Sequence, residues 1–388
     1  MGLRYSDLTN RLNVQTSDVW GVHTEAQRRA AAGEDIIMLS LGDPDFPTPR
    51  EITDKLVQQV HQHRTHYSPA GGEPSFLQAL AELETSVEKR PFLPENFTIF
   101  PGGTAALTGV MNCILSPGDE IIIPEPMYIG YHSILQGIGA KLISVPLDVE
   151  NDFVLDIESI RQAVTPATRA ILINTPGNPA GNVMTKASLA ELAAVTREMD
   201  LWLICDEVYS LFTYEEDHVS LLLAAENLEN VIVIDSLSKS HAMSGWRIGW
   251  AVASEEMTAA LHTYCGATFF GCSQFIQDAA AFALSFNAPH ILNMRREYRE
   301  RRDYVVNAID RMNGLSCYQP KAGMFVMVDT SQVADDGASF AQRMLEAAGV
   351  SLIPGAGFGD NTKGYVRMSL TQPADVLEVA LGRIAKMI

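Results

Sequence analysis

The stretch IDSLSKSHAMSGWRIGW, from Ile234 to Trp250, lets an apolar run empty into small polar residues, a lysine, a histidine and an arginine. A lysine at the end of a buried strand serves catalysis by bonding a carbonyl or by acting as a base, once its site lowers its pKa. A pyridine-type cofactor anchored on Lys239 needs an acid for its ring nitrogen, donors for its ring oxygen and a cradle for its phosphate. Residues of those types follow other apolar runs. Asp206 and Tyr209 come after Leu201–Cys205, and Asn178 lies in NTPGNPAG after Ala170–Asn174. PGGTAAL, residues 101–107, opens a helical stretch with Gly103 and Thr104; N–H groups at a helix start attract phosphate. Ser236, Ser238 and Arg247 complete such a cup, because a guanidinium fork suits phosphate. Taken singly, Asp206 also suits a helix cap, Asn178 a turn, Tyr209 a core and Lys239 a solvated loop.

What would bring these residues together is a sheet. Short apolar runs at 120–124, 141–145, 170–174, 201–205, 231–234 and 247–252 alternate with amphipathic stretches of helical length such as 186–200. That alternation predicts a mostly parallel sheet covered by helices on both faces, hence an α/β fold. Ligands of such sheets sit beyond the carboxyl ends of the strands, where the polar residues above fall. After Phe286 the pattern changes to one charged helix over 289–312. Strand-like 324–329, 350–353 and 365–370 follow, with helices between and after. The expected organisation is an N-terminal segment, 1–45, that joins a small α+β domain at 287–388, with a large cofactor-binding domain at 46–286.

Composition narrows the function classes. The chain has 388 residues and a formal net charge of −19, from 28 basic against 47 acidic residues. Such a field repels nucleic acid and anionic membranes. No apolar run reaches the length of a membrane span, and residues 1–10 show no apolar signal region. The five cysteines form no C-x-x-C pair, which argues against a zinc knuckle or a disulfide frame. A cytoplasmic enzyme without a metal is the expectation. The histidines of HQHRTH, residues 61–66, fit no zinc spacing.

NTPGNPAG, CDEVY, SLSKSHAMSGWRIGW and YVRMSL, in this order along nearly the whole chain, resemble the class I/II aminotransferases. These are fold-type I enzymes dependent on pyridoxal 5′-phosphate. The resemblance implies that Lys239 bonds the cofactor aldehyde and moves the substrate proton. It implies that Asp206 partners the ring nitrogen, Tyr209 and Asn178 the ring oxygen, and that Tyr128 stacks on the ring. Gly103, Thr104, Ser236, Ser238 and Arg247 then form the phosphate cup. Arg367 and Gly42 meet the substrate α-carboxylate. Tyr67 reaches the phosphate site of a neighbouring subunit, which makes the enzyme a homodimer with shared active sites.

Substrate choice is less direct. Members of the family that prefer aspartate carry a cation for its distal carboxylate, at the position of Thr104 or in the neighbouring subunit's segment that corresponds to 265–280. Thr104 is neutral and CGATFFGCSQFIQDAA has no basic residue. RYSDLTNRL, EPMYIGYH, FIQDAA and GMFVMVD are similar to bacterial arginine–pyruvate transaminases. The expected donor is therefore L-arginine or another non-acidic amino acid, with pyruvate as acceptor. Asp18, Glu73 and Glu125 are candidates for a guanidinium partner. Gly21 departs from that group, which has an acidic residue there. The alternatives are an aminotransferase of alanine, aspartate or aromatic type, or a lyase using the same cofactor. A ligand-sensing regulator on this fold would need a DNA-binding segment, which residues 1–42 are too short and too weakly basic to supply.

Overall fold

The computed structural model describes residues 4–12, 19–285 and 289–388. Among the described residues thirteen strands run in chain order. They are β1 Ile37–Met38, β2 Phe97–Phe100, β3 Glu120–Glu125, β4 Lys141–Pro146, β5 Thr168–Asn174, β6 Trp202–Asp206 and β7 Val231–Ser236. Then come β8 Gly249–Val252, β9 Ser316–Cys317, β10 Phe325–Asp329, β11 Val350–Ser351, β12 Ile353–Pro354 and β13 Tyr365–Ser369. Seven of them form one sheet in the order β2-β8-β7-β6-β5-β3-β4. All neighbours pair in parallel except β8, which lies antiparallel between β2 and β7. The fold is the α/β architecture the sequence pattern predicts, with helices covering a mostly parallel sheet.

Strand alternation explains why both sheet faces are apolar. Leu203 and Cys205 of β6 point into one core, with Val231 and Val233 of β7. Ile204, Ile232 and Ile234 point into the other, beside Tyr131, Met111 and Leu261. The period of two then continues past the apolar runs. Asp206 falls on the face of Ile204, and Ser236 on the face of Ile234. β2 was not expected from the sequence; its residues Phe-Thr-Ile-Phe are all buried and suit a strand. β8 starts later than the run 247–252, because Arg247 has left-handed φ of 53° and ends the turn before it. Gly249 allows the next contact: a Cβ there would lie 2.8 Å from the Gly103 nitrogen, so only glycine lets the helix start press on this strand.

A second core joins both ends of the chain. β1 pairs in parallel with β11, and Val22, Ala26 and Leu39 pack with Phe340, Leu345 and Leu377. The four-stranded antiparallel sheet β12-β13-β10-β9 carries Arg367 in β13. The run 350–353 is broken into two short strands, and the charged helix spans Pro289–Ile309.

Candidate active site

Lys239 stands in the single helical turn Leu237–Ser240 that follows β7. Its Nζ donates to the Gly42 carbonyl at 2.6 Å. Burial pushes its pKa down to about 8, with Asp43 opposing and Arg367 and Arg247 adding to the shift. About a tenth of the amine is therefore neutral at pH 7, far more than for an ordinary lysine, and this is the form that attacks a carbonyl or takes a proton. Ser236 and Ser238 flank it, and Ser236 is fixed by its N–H, which donates to Asp235 at 2.6 Å. Opposite, Gly103 opens the helix Gly103–Ile114. Gly102 before it has φ of 91°, and a Cβ there would lie 2.3 Å from the Arg247 guanidinium. Arg247 donates to the Ser244 carbonyl at 2.6 Å and to that of Pro101 at 3.4 Å. Helix-start N–H groups, two hydroxyls and a guanidinium thus share one rim, the donor set a phosphate takes.

Asp206 ends β6 and is buried. Burial raises its pKa to about 6, against hydrogen bonds from Tyr131 and the Val208 N–H. The Tyr131 hydroxyl donates to Oδ2 at 2.8 Å from a fully buried ring. Sequence reasoning missed Tyr131. The signal was available: Asp206 shares the sheet face of Ile204, and Tyr131 lies three residues beyond Tyr128, in the helix Gly130–Ile138. Asn174, also missed, stitches two strand ends together. Its Nδ2 donates to the Asp206 carbonyl at 2.8 Å, and its Oδ1 accepts from the Asn178 N–H at 2.7 Å. Tyr209 is buried beside Asn178, and burial raises its pKa. Tyr128 has its own pKa raised by burial and bonds Thr104.

Arg367 reaches the same cavity from β13. Nη1 donates to Asn178 Oδ1 at 3.0 Å and Nη2 to the Ser40 carbonyl at 3.0 Å. The guanidinium lies 4.0 Å from the ring centre of Phe325 and 4.9 Å from that of Phe358. Burial lowers its pKa to about 10. Its Nε is buried with no partner among the described residues, a donor available to a bound carboxylate. The cavity of about 240 Å³ is lined by every residue expected to meet the cofactor or the substrate α-carboxylate except Tyr67. Tyr67 is 82% exposed, edge-on to Phe270 at 5.0 Å, and belongs to a separate surface hollow.

The candidate guanidinium partners fare differently. Glu73 is spent on Arg64 at 2.6 Å, which also binds Asp278, and it does not line the cavity. Glu125 is buried against Gly359, likewise off the cavity wall. Asp18 lies outside the described residues. Gly21 begins the helix Gly21–Ala31, and its neighbour Trp20 lines the cavity.

The sequence model of the family described as "Aminotransferase class I and II" matches residues 34–384. The chain belongs to the class I and II aminotransferases. It is therefore an aminotransferase of fold-type I, and the family depends on pyridoxal 5′-phosphate. Among its relatives is an arginine–pyruvate transaminase of Pseudomonas aeruginosa, 37% identical over 99% of this chain and 98% of that protein. An aspartate/prephenate aminotransferase of Thermus thermophilus is 33% identical over 95% of this chain and 94% of its own. A Thermus thermophilus aspartate aminotransferase solved with maleate superimposes with a TM-score of 0.93 over all of both chains, at 32% identity. The residues of this aminotransferase fit the cofactor: the cavity offers an amine lowered toward neutrality, a buried carboxylate and a phosphate-type rim. Among the described residues no helix is long and apolar enough to cross a membrane.

Proposed function

We propose that this aminotransferase moves the α-amino group of a non-acidic L-amino acid, with L-arginine the first candidate, to a 2-oxo acid, with pyruvate the first candidate. The supporting observation is the charge of the cavity wall. Among the described residues its cations are Lys239, Arg247 and Arg367, and each is accounted for by aldehyde, phosphate and α-carboxylate. Thr104 and the segment 265–280 add none. Among the described residues a distal carboxylate on the substrate thus meets no further cation, which argues against a dedicated aspartate enzyme. The Pseudomonas aeruginosa relative supports arginine and pyruvate by its name and 37% identity.

In this reading the cofactor, when bound, supplies an aldehyde that exchanges with the substrate amine and an electron-accepting ring. The rest is done by the chain. Ser236, Ser238, Thr104, Arg247 and the N–H groups from Gly103 hold the phosphate. Asp206, kept as a carboxylate by Tyr131, keeps a proton on the ring nitrogen, the charge state that best accepts electrons. Asn178 and Tyr209 donate to the ring oxygen, and Tyr128 stacks. Arg367 binds the α-carboxylate in a fork, with Gly42 beside it, and so fixes the direction of the Cα–H bond. Lys239 can take that proton on Nζ and release it again, since burial brings its pKa to about 8. Amino donor and acceptor use the site in turn, a ping-pong scheme.

We further propose a homodimer in which the exposed Tyr67 serves a second copy's phosphate site, and the division 1–45, 46–286 and 287–388. Support for the division is the pairing of β1 with β11 in a core separate from those of the large sheet. A donor panel with pyruvate tests the substrate reading, following 2-oxo acid formation from arginine, lysine, alanine, aspartate and phenylalanine. Arginine is expected to lead and aspartate to trail. Aspartate ahead of arginine, or alanine ahead by about tenfold, removes the arginine assignment. Product release without a 2-oxo acid acceptor would point to a lyase.

A further inference from the structure

Trp20 is 42% exposed and still forms part of the cavity wall. Two separate anchors hold it at a fixed offset from Arg367. Its neighbour Val19 is buried against Ile353 and Phe358. Gly357 leaves the room for it, since a Cβ there would lie 2.4 Å from Val19. Phe358 in turn stacks on the Arg367 guanidinium at 4.9 Å. On the other side the Trp20 ring meets His23 edge-on, with centroids 5.5 Å apart and planes at 74°. His23 Nδ1 bonds Ser40 Oγ at 2.8 Å, and the Ser40 carbonyl accepts from Arg367. A donor whose α-carboxylate lies on Arg367 therefore meets the indole at a set distance along its side chain. Asp206 is the only carboxylate on the described wall, and its Oδ2 is taken by Tyr131. A guanidinium entering this cavity meets no free acid among the described wall residues. Among the aromatic groups on the wall, Trp20 carries the indole, the best cation–π partner among side chains.

We propose that Trp20 is the specificity-determining residue of this aminotransferase: its indole is the wall on which long donor side chains lie, and its π face favours a guanidinium. The second half rests on the arginine reading above; the first does not. The test is kcat/KM with the holoenzyme and pyruvate for L-arginine, its neutral planar isostere L-citrulline, L-leucine and L-alanine. Wild type, Trp20→Phe, Trp20→Leu and Trp20→Ala are compared by ratios of donors within one preparation, so that folding losses cancel. Trp20→Leu is expected to lower the arginine-to-citrulline ratio about tenfold, and Trp20→Phe to restore most of it. Trp20→Ala is expected to lower the leucine-to-alanine ratio about tenfold. An arginine-to-citrulline ratio that stays put in Trp20→Leu overturns the cation half. A leucine-to-alanine ratio that stays put in Trp20→Ala overturns the wall. If the wild type does not use arginine, the arginine reading and the cation half fall together, and the leucine-to-alanine ratio still decides the wall.

Discussion

Replacing Tyr131 by phenylalanine removes one hydroxyl from a fully buried position and leaves the ring in place. The lost bond is a 2.8 Å donor to the Asp206 carboxylate. A hydrogen bond to a charged group contributes about 1.5–3 kcal/mol, and 1.36 kcal/mol corresponds to one pKa unit. The Asp206 pKa of about 6 should therefore rise by roughly 1–2 units. Two readouts follow in the cofactor-free protein. Cofactor affinity weakens tenfold per pH unit once the carboxylate is protonated, so the break in the dissociation constant against pH should move up from near 6 by roughly 1–2 units. Stability follows the same sign. A carboxyl whose folded pKa lies above its unfolded value costs stability as pH rises from the unfolded pKa through the folded one. The variant should match wild type near pH 5 and lose about 1.5–3 kcal/mol more by pH 9. A binding break that stays near 6, with the same pH dependence of unfolding, refutes the claim that Tyr131 holds Asp206 in its charged form.

Lys239→Ala should abolish turnover and the visible absorbance of the lysine-bound cofactor; wild-type turnover in that variant would sink the assignment of Lys239. Arg367→Lys keeps the charge but loses the fork between Asn178 and Ser40, so kcat/KM should fall about 30-fold or more for every donor alike, checked across the same donor panel. Gly102→Ala places a methyl group against Arg247 at a residue with positive φ, and should weaken cofactor binding about tenfold, measured by equilibrium titration of the cofactor. Burial, with His290 beside it, lowers the pKa of His241 to about 4. Its neutral form is favoured, so that stability is complete above the unfolded pKa near 6.5 and is lost as pH falls toward 4. The loss amounts to about 3 kcal/mol, and His241→Asn should flatten it in urea unfolding at pH 7 and pH 4.5.

The lysine loop was legible because each element announces itself locally. An apolar run predicts a strand, the polar residues after it predict a rim, and parallel strands put successive rims on one edge. That local grammar carries Lys239, Asp206, Asn178, Ser236 and the Gly103 helix start. It does not carry contacts made across the fold. Tyr131 finds Asp206 only through the register of a helix against β6, and Arg367 finds the Ser40 carbonyl from 327 residues away. The acidic candidates show the same limit from the other side. Glu73 and Glu125 lie close in sequence to cavity residues, yet Glu73 faces Arg64 and Glu125 faces Gly359. A carboxylate beside a motif is not thereby in the pocket; its strand or helix face decides, and a nearby cation claims it. Once those two acids turn away, the described wall is left with indole, phenyl and aliphatic groups beyond the α-carboxylate clamp. On the proposed function, the side chain of the donor is then sorted by shape and by aromatic groups rather than by ion pairing. On that reading the pocket grades its donors instead of admitting one, since a methylene in an apolar site discriminates by about 10- to 200-fold and a cation–π contact by about tenfold.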